Sequence, residues 1–114
     1  MEKYIDTLIE RAKMVREWRK YIPKLVKAIE EKVPDAKIYV FGSAVKGEAV
    51  AGSDIDILIV SKSFPESNIR RAEIKVEIEK LAGLPYYHPF EFHLADESEQ
   101  KWYFDRVKEL ESIN

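Results

Sequence analysis

Apolar positions in the first third of the chain recur with the spacing of a helix. Tyr4, Leu8, Arg11 and Val15 fall on one helical line, and Ile5, Ile9, Ala12 and Trp18 fall roughly on another, within a run of strong helix formers over 2–20. Pro23 interrupts this run and fits the first turn of a second helix over 22–33, whose apolar face is Ile22, Leu25, Val26 and Ile29. Pro34-Asp35 ends that helix. The pattern then changes. "AKIYVFGS" reads as a buried strand over 36–41 stopped by Gly42, followed by a short helical turn from Ser43 to Lys46 and a glycine-bounded loop over 47–53. Over 54–60, Ile55, Ile57 and Ile59 face one way while Leu58 and Val60 face the other, which predicts a central strand covered on both sides.

Residues 66–82 carry two conflicting signals. Ala72, Ile74, Val76 and Ile78 alternate as in a strand, but the length, the Glu/Lys/Ala content, Pro65 before the segment and Gly83 after it favour a helix, and a helix is expected. "HPFEFHLA" predicts a short strand over 89–94. Asp96 and Glu99 have capping-box spacing and open a closing helix over 96–114 that contains Trp102, Phe104, Val107 and Leu110. The expected order is helix, helix, strand, strand, helix, strand, helix: an α+β (α/β) domain with a small sheet and helices packed on it.

Composition narrows the classes. The chain has 114 residues and 46% hydrophobic content, enough for one core, so a single domain is expected, with N-terminal helices over 1–33, a core over 34–95 and the closing helix. Its 19 basic and 21 acidic residues leave a net charge of −2, which argues against nucleic acid as a direct ligand. There is no cysteine, so any metal is held by oxygen or imidazole. The first residues are charged and no apolar run approaches the ~18 residues of a membrane span, so a cytoplasmic protein without membrane contact is expected. One glutamine and two asparagines beside abundant Glu and Lys fit a thermophilic source.

The chemistry is concentrated in "FGSAVKGEAVAGSDIDILIVS", residues 41–61. In a strand, Asp54 and Asp56 point the same way. Two carboxylates that close, at the edge of an apolar core, suffer repulsion and desolvation, and a divalent cation removes both. Mg²⁺ prefers one or two carboxylates with phosphate oxygens and water. Solvated aspartates at the start of a strand would be the plainer reading. The preceding Gly42-Ser43 pair weighs against it, because unpaired N–H groups at a helix start attract anions, glycine admits a phosphate, and Ser43 and Lys46 add a hydroxyl and a charge. Ser43 as an ordinary N-cap is the alternative.

Gly42-Ser43, ten intervening residues, then Asp54-Ile55-Asp56 resembles the signature of the DNA polymerase β-like nucleotidyltransferase superfamily. The chain is similar to its minimal single-domain members, which are often paired with a small helical protein of the HEPN class. The resemblance spans about residues 25–95. It implies a mixed sheet with flanking helices and three acids on adjacent strands: Asp54, Asp56 and, in "PFEFHL", Glu91. It further implies two Mg²⁺ ions held by these acids and ATP or another NTP as substrate. Gly42, Ser43 and Lys46 would hold the phosphates, and a nucleoside monophosphate would pass to an acceptor hydroxyl. In the family, one acceptor is a tyrosine of a HEPN-type toxin. One departure stands out: many relatives carry arginine directly after Gly-Ser and again two residues later, where this chain has Ala44 and Lys46. Arg70 and Arg71 could complete the phosphate grip if their helix end lies near the site.

The remaining marks have plainer readings. Lys13, Arg16, Lys20, Lys24 and Lys27 suit a solvated helix face better than a partner surface. His88 and His93 could ligate metal, though structural roles are expected, with His93 sharing the Glu91 face. Tyr86-Tyr87 and Trp102-Tyr103 are expected in the core. A non-catalytic partner-binding module, an antitoxin or complex subunit, stays open beside the enzyme, and an oligomer is compatible with either.

Overall fold

The computed structural model describes residues 2–114. Strands β1 (Lys37–Phe41), β2 (Ile55–Val60), β3 (Phe90–Ala95) and β4 (Leu110–Ser112) form one sheet in the order β3-β2-β1-β4. β1 is antiparallel to both β2 and β4, whereas β2 and β3 are parallel. The connections account for this. A loop returns the chain from β1 to β2, while two parallel strands need a crossover, and α3 (Asn68–Leu81) supplies it. That requirement settles the conflict over 66–82 in favour of a helix, with Ser67 as its cap, accepting from the Arg70 N–H.

The N-terminal run divides earlier than its helix formers suggest. α1 (Glu2–Arg16) stops four residues short of the expected end, and a 3-10 turn over Trp18–Tyr21 leads into α2 (Ile22–Lys32). Pro23 is the physical cause: without an N–H it cannot bond the carbonyl of Arg19, which instead accepts from the Ile22 N–H. Leu25 and Ile29 of α2 are fully buried, as their spacing predicts. On α1 only the C-terminal end is buried, through Met14 and Val15. Tyr4, Ile5, Leu8 and Ile9 are exposed.

The closing helix needs a larger correction. α4 (Glu97–Arg106) begins with the expected capping box, both of its hydrogen bonds being formed between Asp96 and Glu99, but it ends at Arg106. Val107 is extended, and Leu110–Ser112 becomes β4 on the outer edge of β1. An unpaired edge of β1 would leave backbone groups without partners. The tail also fits there by side chain: Arg19 makes a bidentate pair with Glu111 at 2.7 and 2.9 Å, and the Asn114 amide accepts from the Ile38 N–H and donates to the Ala36 carbonyl. Trp102 and Tyr86, expected in the core, are exposed, as is Phe104 of the closing helix.

The sheet has two unlike faces. Ile38, Val40, Ile55, Ile57, Ile59, Phe90, Phe92 and Leu94 pack against Trp18, Leu25, Ile29 and Ile78 in the main core. On the opposite face Leu58, Val60 and Ala95 form a smaller cluster with Tyr39, Phe41, Tyr103 and Leu110. β2 is central, and Asp56 is its one residue that is not buried.

Candidate active site

The acids lie on the thinly covered face, at the end of the sheet where β1 stops and β2 and β3 start. The parallel register pairs Asp56 with Glu91 directly, and Leu58 with His93. Alternation then places Asp56, Glu91 and His93 on one surface while their neighbours Ile55, Ile57, Phe90 and Phe92 anchor the same strands in the core. One ligand atom from each of Asp56, Glu91 and His93 lies within 4.8 Å of the others. The late glutamate is therefore on the same side as Asp56, as the resemblance implied.

Asp54 is placed differently. It precedes β2, its side chain is 56% exposed, and its Oδ1 accepts from Arg11 Nη2 at 2.7 Å. Arg11 also donates to the carbonyls of Ala51 and Ser53, so α1 holds the end of the loop that leads into the site. Asp56 and Glu91 thus form a close group with His93, whereas Asp54, the third expected ligand, lies outside that group on an arginine counter-ion. Arg11 went unnoticed in the sequence because its partner is more than forty residues away and its own position is an ordinary one on a helix.

Gly42 is required by the site itself. Its φ is +81°, and a Cβ there would lie 2.7 Å from Asp56 Oδ2. Any other residue would push the carboxylate away. The expected helical turn is shorter than predicted, a 3-10 turn over Gly42–Ala44 capped by no side chain, so Ser43 is not its N-cap. Ser43 is half-buried, and its hydroxyl makes no hydrogen bond among the described residues. Lys46 lies one step further along, lining a cleft that also contains Gly42.

His93 has the role that the sequence left undecided. Its Nε2 donates to Asp56 Oδ1 at 3.1 Å, and its ring lies against those of Phe41 and Tyr103, with centroids 5.1 and 6.0 Å away. Burial raises the Tyr103 hydroxyl above its ordinary value, with the charges of Glu99 and Glu91 adding to the effect, so it stays a neutral phenol at neutral pH. His88 is structural. Its Nδ1 accepts from the Phe90 N–H, which leaves Nε2 as the donor to Glu79. Arg71 is also structural. It donates to the Pro65 and Leu94 carbonyls and forks onto Glu99 at 2.8 and 3.0 Å, and the bond to Glu99 raises its pKa, so it is not available to grip phosphates.

A divalent cation fits this donor set. Two carboxylates and one imidazole whose ligand atoms lie within 4.8 Å of one another, partly open to solvent, make an oxygen-rich site of the kind Mg²⁺ occupies, with coordination positions left for water and phosphate.

The family model for the nucleotidyltransferase domain matches residues 22–109, most of the chain. The protein belongs to this family. Among solved structures, the chain is similar to the crystal structure of an inferred nucleotidyltransferase at 32% identity and a TM-score of 0.64, covering 81% of this chain and 96% of that one. A second similar structure is an inferred nucleotidyltransferase from Sulfolobus solfataricus, at 26% identity and a TM-score of 0.56, covering 95% and 83%. No curated protein sequence matches. Among the described residues, no helix is long and apolar enough to cross a membrane.

Proposed function

We propose that the protein transfers a nucleoside monophosphate, AMP from ATP, to an acceptor hydroxyl with release of pyrophosphate. The observation that carries this reading is the pairing of Asp56 with Glu91 across parallel strands, beside the Gly42 turn that touches Asp56. Asp56 and Glu91, joined by Asp54, would hold two Mg²⁺ ions. Bound there, the metal supplies neutralisation of phosphate charge and a more acidic acceptor hydroxyl. His93 fixes the rotamer of Asp56 by hydrogen bond. Glu91, the more exposed of the pair, would take the hydroxyl proton as the new P–O bond forms and the bond to pyrophosphate breaks. The Gly42 backbone, Ser43 and Lys46 would receive the terminal phosphates, the N–H groups of a tight turn's start having no internal acceptor.

For the acceptor, we favour a tyrosine on a separate, small helical protein of the HEPN class, as the resemblance implies. Incubation with labelled ATP, Mg²⁺ and such a partner tests this. Label should reach the partner with wild type and be lost with Asp56→Asn. A tight complex without transfer, unchanged by Asp56→Asn, would reject the enzyme reading.

One observation favours the second reading, a binding module: Asp54 is engaged by Arg11. If Asp54 serves a metal, Arg11 competes with it, and Arg11→Ala should tighten Mn²⁺ binding about threefold, a modest gain as expected for an exposed pair. Unchanged Mn²⁺ affinity would leave Asp54 a structural residue.

A further inference from the structure

We propose that the phosphate grip missing after Gly42-Ser43 is supplied from the far end of the chain, by Lys108 and Arg106, which with Lys46 form a polyphosphate subsite. The proposal rests on the nucleotidyl-transfer reading and adds to it residues that no motif marks. Its basis is topological. β4 starts opposite the end of β1, with Leu110 paired to Phe41, so the turn that leads into it arrives at the same end of the sheet as the Gly42 turn. There, Phe41, Gly42, Lys46, Arg106, Val107, Lys108 and Glu109 line a cleft of about 450 Å³. Gly42 forms one wall of this cleft and also abuts Asp56, so an anion in the cleft is next to the acid pair.

The charge suits an anion. Three cations face one carboxylate, and none of the three forms an ion pair among the described residues. Arg11, beside the loop into the site, is committed to Asp54, and Arg71, expected as a phosphate ligand, is committed to Glu99. Arg106 is held in place by stacking on Trp102, 4.6 Å from the ring centroid, and by a bond from its Nη1 to the Trp102 carbonyl. That stacking also explains why Trp102 stays at the surface. A guanidinium fixed on an aromatic ring presents its remaining donors at low entropic cost. The early end of α4 as a strand-forming turn, unexpected from the sequence, is what brings these cations to the site.

Inorganic tripolyphosphate in EDTA reads the subsite without metal or transfer chemistry. Isothermal titration should give binding to wild type that weakens steeply with salt. Lys108→Glu, at an exposed position that leaves the fold intact by circular dichroism, should weaken it about tenfold, the low end for a charge-assisted contact. Lys46→Ala with Lys108→Ala should abolish it, and metal-free ATP should displace it from wild type. Equal binding by the variants, or none by wild type, overturns the subsite. Displacement by a short oligonucleotide but not by metal-free ATP also overturns it, because the cleft would then hold the acceptor. Loss of transfer in Asp56→Asn is measured separately, so failure of the subsite leaves the wider reading standing or falling on its own test.

Discussion

The two faces of the sheet are built from the same strands and do opposite work. On one, Ile55, Ile57, Ile59, Phe90, Phe92 and Leu94 are sealed under α2 and α3 and the segments around them. On the other, alternate residues of those strands are Asp56, Glu91 and His93, partly open to solvent. Period two is what permits this division, because adjacent residues never share a face. Each polar group sits between two buried anchors. The rigid face holds the acids at a fixed separation, as a preorganised site requires.

The sharpest test compares neighbours on β2. Asp56→Asn should lower transfer by about a thousandfold or more, the scale expected when a metal-binding charge is removed, with an unchanged melting temperature. Ile57→Ala, one residue on, should lose about 3–4 kcal/mol of stability in denaturant unfolding and keep activity at low temperature. If both substitutions impaired both properties equally, the division between faces would be wrong. Gly42→Ala comes next. The added methyl would meet Asp56 Oδ2, and a positive φ is strained for alanine, so activity should drop about a hundredfold with a stability loss of about 1–2 kcal/mol.

A smaller effect separates support from chemistry. Arg71→Ala strands the Pro65 and Leu94 carbonyls and should cost about 2–3 kcal/mol by unfolding, while nucleotide affinity stays within about twofold. A large rise in the Kd for ATP would return Arg71 to the phosphate site. The smallest effect is at the start of α4. Asp96 is held below its ordinary value by the Glu99 N–H and the Ser98 hydroxyl. Because the folded pKa lies below the unfolded one, its contribution is complete above the unfolded value near about 4 and disappears as pH falls through the folded value. Thermal melts from pH 6 downward should therefore show an acid limb that Asp96→Ala flattens, and an unaltered limb would exclude this cap.

Local pattern carried the sheet and its acids a long way. The strand carrying Asp56 and the short aromatic strand were each legible, because a one-residue error in register would have put Glu91 into the core and a phenylalanine into water; Asp54, expected in the same strand, instead precedes it on Arg11. The helix over 68–81 was legible despite its alternating apolar residues, through its length and flanking Pro and Gly. The end of α4 was not. Trp102, Phe104, Val107 and Leu110 read as one helix by spacing, and nothing local signals that the edge of β1 is open and draws the tail onto it. Likewise Arg71 was a candidate phosphate ligand until its partner Glu99, from another element, was seen.

By itself the sequence determined which residues alternate, where turns must fall, and that two carboxylates open one strand with a third inside another. These follow from backbone period and side-chain chemistry, which act over a few residues. Only the tertiary structure decided who meets whom across long separations: Asp56 with Glu91, Asp54 with Arg11, and the Gly42 turn with Lys108. Such pairings depend on which edges and faces remain unsatisfied once the core has closed, and that is a property of the whole fold rather than of any segment.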